Sequence, residues 1–153
     1  MKKILCSLMF FSCFAFIYLV ALPDYVEAGF YCDSNECDIV CDGSAECFGT
    51  DGDDVICGSN NGETIHAGKG EDIVCGFDGD DTLEGGWGAD SLFGGDDNDT
   101  LKGGHCADYF DGGDGSGDIC LGGWCNDIFT TTGSCETADQ GQTTDHKTQG
   151  DCP

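Results

Sequence analysis

The chain has 153 residues, with 30 acidic side chains against 5 basic ones, a net charge of −25, and 26 glycines beside only 2 prolines. The length fits one small domain, the glycine content argues against an ordinary packed globule, and a charge this large repels itself in any compact state unless cations neutralise it. So acidic a chain excludes nucleic acid and anionic membrane surfaces as partners, because both are held by lysine and arginine.

The first element in chain order is a targeting segment. Lys2 and Lys3 precede an almost wholly apolar run over residues 4–22, Pro23 follows, and Val26-Glu27-Ala28 offers a signal peptidase its cleavage pattern. The pattern predicts a signal peptide over residues 1–28, cut after Ala28. The alternative is an uncleaved anchor, since about 20 apolar residues span a bilayer. Either way residues 29–153 are exported, and after cleavage they have no membrane contact. Export makes the cysteines disulfide candidates rather than catalytic thiols. Of the 13, Cys6 and Cys13 leave with the leader, and the odd number that remains leaves at least one without a partner in the chain.

Residues 29–48 form a short acidic segment holding Cys32, Cys37, Cys41 and Cys47. It reads as a disulfide-rich N-terminal cap of two bridges whose pairing the sequence leaves open. Residues 131–153, at the other end, are polar and rich in Thr, Gln and Asp, and read as a largely irregular tail with Cys135 and Cys152.

Between them, residues 49–130 repeat. From Gly49 the units run GTDGDDVIC, GSNNGETIH, AGKGEDIVC, GFDGDDTLE, GGWGADSLF, GGDDNDTLK and GGHCADYFD; Gly112 reads as one extra residue, then GDGSGDICL and GGWCNDIFT follow. The sixth position is always acidic: Asp54, Glu63, Asp72, Asp81, Asp90, Asp99, Asp108, Asp118 and Asp127. The eighth is Ile56, Ile65, Val74, Leu83, Leu92, Leu101, Phe110, Cys120 and Phe129. A disordered Gly/Asp linker has no reason to hold a large apolar residue in phase. Glycine at positions one to five suits a turn through backbone regions closed to other residues, and positions seven to nine alternate outward, inward, outward as a short strand does.

Gly85-Gly86-Trp87-Gly88-Ala89-Asp90-Ser91-Leu92-Phe93 matches every fixed position of G-G-x-G-x-D-x-U-x, and the array resembles the RTX family of haemolysin-type calcium-binding nonapeptide repeats over about half of the chain. The resemblance implies an all-β fold, a parallel β-roll (solenoid) of about 4.5 coils of 18 residues, with calcium held between turns on the same edge of adjacent coils by loop carbonyls and two acids. Carried over by position, the acid pairs are Asp54/Asp72, Asp72/Asp90, Asp90/Asp108 and Asp108/Asp127 on one edge. On the other they are Glu63/Asp81, Asp81/Asp99 and Asp99/Asp118. Seven Ca²⁺ sites would offset more than half of the excess negative charge. Departures from the pattern weaken the flanking sites: Phe77 and Asp114 at position two, Asn61, Asp97, Cys106, Ser116 and Cys125 at position four, and Glu63 in place of an aspartate.

Residues 18 apart stack at about 4.8 Å, within disulfide reach. This predicts bridges Cys57–Cys75 and Cys106–Cys125, with Cys135–Cys152 closing the tail and Cys120 left as a small buried hydrophobe. His66, Glu84 and Lys102 form a polar ladder. Thr64, Thr82 and Thr100 form a file of the kind that ice-binding solenoids use, but one rank wide and beside charges. Trp87, His105 and Trp124 line an edge where a glycan or a protein partner would dock. Asn98-Asp99-Thr100 is a glycosylation sequon inside an expected metal turn, where poor occupancy is expected.

Catalytic patterns are missing. No H-E-x-x-H occurs among His66, His105 and His146, and the DGSGD around Ser116 fails G-x-S-x-G at Asp114. The expectation is a secreted, non-enzymatic calcium-binding protein that folds on binding. The alternatives are an extracellular adhesion, carbohydrate- or ice-binding module, and a toxin-like effector.

Overall fold

The structure, a computed structural model, describes residues 32, 36–130 and 135–139; the signal segment, Cys152 and most of the tail lie outside the described residues. It is all-β: a parallel solenoid of about five turns, without a helix among the described residues. The strands are β1 (Ile39–Val40), β2 (Glu46–Phe48), β3 (Val55–Cys57), β4 (Thr64–Lys69), β5 (Ile73–Asp78), β6 (Thr82–Trp87), β7 (Ser91–Asp96), β8 (Thr100–His105), β9 (Tyr109–Asp114), β10 (Asp118–Gly123), β11 (Ile128–Phe129) and β12 (Cys135–Asp139). Odd-numbered strands make one sheet in the order β1-β3-β5-β7-β9-β11, and even-numbered strands the other, β12-β10-β8-β6-β4-β2.

The period sets the register. Thr82 pairs with Thr64 and Thr100, and Leu83 with Ile65 and Leu101, each 18 residues apart. Every eighth position turns inward: Ile56, Ile65, Val74, Leu83, Leu92, Leu101, Phe110 and Cys120 are fully buried, and Phe129 packs against the end of the column with its ring 4.9 Å from that of Phe110. Two columns of apolar side chains, facing each other between the sheets, make most of the core, and Cys41, Cys47 and Ala67 complete it.

Most strands of the roll are six residues long, twice the expected three, because they run on from position seven through positions one to three of the next unit. The glycines there extend the ladder as well as making the turn. At position two the backbone is left-handed, as at Gly86 (φ 111°), and at position four likewise, as at Gly88 (φ 136°). Phe77, Asp97, Cys106 and Cys125 adopt the same left-handed conformation with a side chain attached, at a cost of about 1–3 kcal/mol each. Asp97 is exposed, so Asp97→Gly should raise the stability by about 1 kcal/mol. A shifted midpoint in urea with an unchanged slope checks this.

The extra residue is not Gly112. Gly113 pairs with Gly95 and Asp114 with Asp96, still 18 apart, whereas Ile119 pairs with Thr100, 19 apart. Gly112, Gly113 and Asp114 are therefore positions one to three of a regular unit, and the insertion sits in the turn over residues 115–117. The solenoid also extends past residues 49–130. β1 and β2, from the segment read as a cap, pair with β3 and β4, and Cys47 joins the core column beside Ile65; β12 pairs with β10.

The disulfides differ from those the columns predict. Cys57 and Cys75 are register partners, yet they are bonded to Cys37 and Cys32 respectively, while Cys41 bonds Cys47. The N-terminal segment thus keeps one bridge to itself and is tied across two coils by the others, which buries the position-nine cysteines that were expected to face outward. Cys120 is no isolated thiol. It bonds Cys135, so Cys135–Cys152 does not form. Cys106–Cys125 does not form either: among the described residues Cys125 is a free, exposed thiol, whereas Cys106 is disulfide-bonded.

Candidate metal-binding turns

Each sixth-position acid ends a glycine turn and sits immediately before a strand or, as Asp118 does, opens one, so the register that stacks the strands also stacks the acids. The seven expected pairs are all in contact, through a bond the sequence did not reveal. In each pair one carboxylate oxygen of the later acid accepts the backbone N–H of the acid one coil earlier. On the first edge, Asp54 N–H donates to Asp72 Oδ1 (2.9 Å), Asp72 to Asp90 (2.9 Å), Asp90 to Asp108 (2.9 Å) and Asp108 to Asp127 (3.0 Å). On the second, Glu63 N–H donates to Asp81 (2.8 Å), Asp81 to Asp99 (2.8 Å) and Asp99 to Asp118 (2.9 Å).

The other oxygen of most of these acids has no such partner. Glu63 Oε1 and the Oδ2 atoms of Asp72, Asp81, Asp90, Asp99, Asp108, Asp118 and Asp127 are buried without a hydrogen bond. Asp72, Asp81, Asp90, Asp99, Asp108 and Asp118 are at most 2% exposed, which for a run of carboxylates is costly unless something pairs with them. Burial pushes Asp72, Asp81 and Asp90 up to about 6, Asp99 to about 7 and Asp108 to about 8, with the neighbouring carboxylates adding to the rise and the N–H bonds opposing it; Asp127 is raised by burial as well. Asp54, at the start of the array, differs: its Oδ2 is already taken by the N–H and hydroxyl of Thr50 (2.7 and 2.8 Å).

The unpartnered oxygens share a wall. A Cβ added at Gly76, Gly85, Gly94, Gly103, Gly112 or Gly122 would run into Oδ2 of Asp81, Asp90, Asp99, Asp108, Asp118 or Asp127 respectively, so glycine at position one makes the space that the carboxylate occupies. Among the described residues no group of three or more His, Cys, Asp or Glu side chains converges, so an ion here would take its remaining ligands from loop carbonyls and water. A donor set of carboxylate and carbonyl oxygens with irregular geometry fits calcium and does not fit zinc.

Among the described residues the outer faces carry no comparable feature. The Thr64, Thr82 and Thr100 file ends at Glu46 on one side and Ile119 on the other. Beside it Glu84 accepts from Lys102 (2.8 Å) and contacts His66 (2.7 Å). His105 stacks between Trp87 (3.9 Å) and Trp124 (5.8 Å), with the two indoles 45% and 56% exposed.

The RTX calcium-binding nonapeptide repeat family matches the chain in four copies, over residues 48–83, 57–92 and 84–119. No curated protein and no solved structure matches it. The matched residues hold most of the acids and glycines that build the turns just described, and over them the chain is an array of RTX calcium-binding nonapeptide repeats.

Proposed function

We propose that the chain is an exported, non-enzymatic protein that takes up several calcium ions in its turns and folds as it does so. The observation that carries this reading is the double row of buried carboxylate oxygens without partners, six of them backed by a position-one glycine. Calcium, when bound, supplies the positive charge that lets these carboxylates stay ionised inside the stack. The chain does the rest. The N–H of each acid fixes the carboxylate of the next coil, the glycine leaves it room, and the apolar column keeps the two sheets in register. The disulfides that tie Cys32, Cys37 and Cys135 to the coils support export, since such bonds persist in oxidising compartments. Millimolar extracellular calcium suits sites with Kd of about 10⁻⁴–10⁻³ M.

The test is a calcium titration of the oxidised chain read by calorimetry and native mass spectrometry. Uptake of several ions at millimolar calcium is expected, with fewer for Asp99→Ala. No uptake by the wild-type chain would end the proposal.

A second reading, recognition of an extracellular partner, is favoured by the exposure of Trp87 and Trp124. His105 covers a face of each indole, leaving edges and outer faces, which suits a protein better than a sugar ring laid across the row. A glycan array probed with wild type and with Trp87→Ala separates the two kinds of partner.

A further inference from the structure

One acid in the array has a different wall. Ala67 occupies position one of the unit that ends in Asp72, between Gly49 and Gly85 in the same column of the even-numbered sheet. Its methyl is fully buried and belongs to the core cluster. In six other units the same point in space must stay empty, because a Cβ there would overlap the second oxygen of the acid. In the Glu63 unit the conflict is milder, with the added Cβ 3.0 Å from Glu63 Oε2. Asp72 still accepts the Asp54 N–H at 2.9 Å, so its first oxygen is tied as in the other coils. The carboxylate therefore cannot swing away from the methyl without giving up that bond, and the conflict falls on Oδ2, which is buried and without a hydrogen bond.

Resting on the calcium reading above, the geometry points to Ala67 as an affinity-setting residue: its methyl crowds Asp72 Oδ2 and makes the site built on that oxygen weaker than those of the six glycine-walled acids. The array then fills in two stages, with the Asp72 site last. One coil before Asp72 stands Asp54, whose own second oxygen is engaged by Thr50, so the start of this edge is the less metal-dependent end of the stack.

Two opposite substitutions test this in the full oxidised chain, with calcium as the probe. Ala67→Gly should tighten the weakest binding step about tenfold, seen by calorimetry and as one more ion in native mass spectra at sub-saturating calcium. Gly85→Ala should do the reverse at Asp90, losing or weakening one ion. Gly85 is not among the left-handed residues, so its alanine variant adds the methyl without that backbone strain. Melting in chelator gives a readout that needs no metal. Ala67→Gly should melt lower there, having lost a buried methyl and gained backbone freedom, and the deficit should shrink or reverse in calcium. Unchanged stoichiometry and stepwise affinities in both variants would overturn the inference, and Gly85→Ala decides it alone if Ala67→Gly does not fold. A wild-type chain that binds no calcium overturns the reading beneath it instead.

Discussion

Chelating calcium away from the oxidised chain is expected to unfold its central coils, and restoring calcium to refold them. With free calcium at about 1 mM and Kd near 0.1 mM, each site contributes about 1.4 kcal/mol, and six contribute about 8 kcal/mol. That is comparable to the whole stability of a small domain, about 5–15 kcal/mol. The structure offers little to replace it. The core holds little more than one apolar side chain per unit, and the ladder hydrogen bonds must order a backbone rich in glycine, the residue that loses most conformational freedom on folding. The loss should be uneven. None of the described bridges has an end between Cys75 and Cys106, whereas Cys32–Cys75, Cys37–Cys57 and Cys41–Cys47 hold the first coils together and Cys120–Cys135 the last. Hydrogen exchange in chelator should therefore accelerate most over residues 76–105, with a fall in the β signal by circular dichroism. Magnesium should rescue poorly, because it demands regular octahedral geometry and gives up water reluctantly. A metal-stripped chain with unchanged melting temperature and unchanged exchange in these coils would show that the stack closes by itself.

The period carried most of this fold in the sequence. A residue type that returns every nine positions has one place in the coil, so Ile56, Leu83 and Phe110 could be assigned to the interior, and Asp72, Asp90 and Asp108 to one edge, without a structure. Three things escaped it, each for a physical reason. The disulfides did, because column neighbours such as Cys57 and Cys75 satisfy the distance requirement but do not exhaust it. The non-repeating N-terminal segment brings Cys37 and Cys32 to the same two sulfurs, and nothing periodic encodes its path. The insertion did, because the string from Gly112 to Gly117 can be divided into units in more than one way, and only the pairing of Asp96 with Asp114 decides. The depth of the carboxylates did as well. Aspartate in a glycine turn ordinarily faces water. Here the strand runs on through positions one to three, the turn tightens against the next coil, and the acid is drawn under it. The glycine five residues before Asp81, Asp90, Asp99, Asp108 and Asp127, and six before Asp118, was the available signal, and the lone alanine at residue 67 its exception.

Acidification should do to the calcium-free chain part of what calcium does. Folding raises the carboxyl groups of Asp72, Asp81 and Asp90 to about 6, Asp99 to about 7 and Asp108 to about 8, because burial disfavours the charged form and the stacked neighbours repel it. In the unfolded chain the same groups titrate near 3.9. Between roughly pH 4 and pH 8 the folded chain thus binds more protons than the unfolded one, and stability falls as pH rises through that window. The calcium-free fold should be most stable near pH 4, where the buried groups are neutral in the folded form, and least stable above pH 8, where all of them must ionise. Calcium binding runs the other way: it needs the ionised form, so it releases protons and tightens as pH rises through the same range. The gap in melting temperature between calcium-loaded and calcium-free chain should therefore be small at pH 4.5 and large at pH 8, mostly because the calcium-free chain moves. Asp99→Asn, which keeps the shape of the carboxyl group and removes its titration, should flatten the calcium-free pH profile while weakening calcium binding at every pH. A calcium-free chain that melts at the same temperature at pH 4.5 and pH 8 would mean that its buried carboxylates are hydrated or paired in solution, and that burial of their charge is not what calcium offsets.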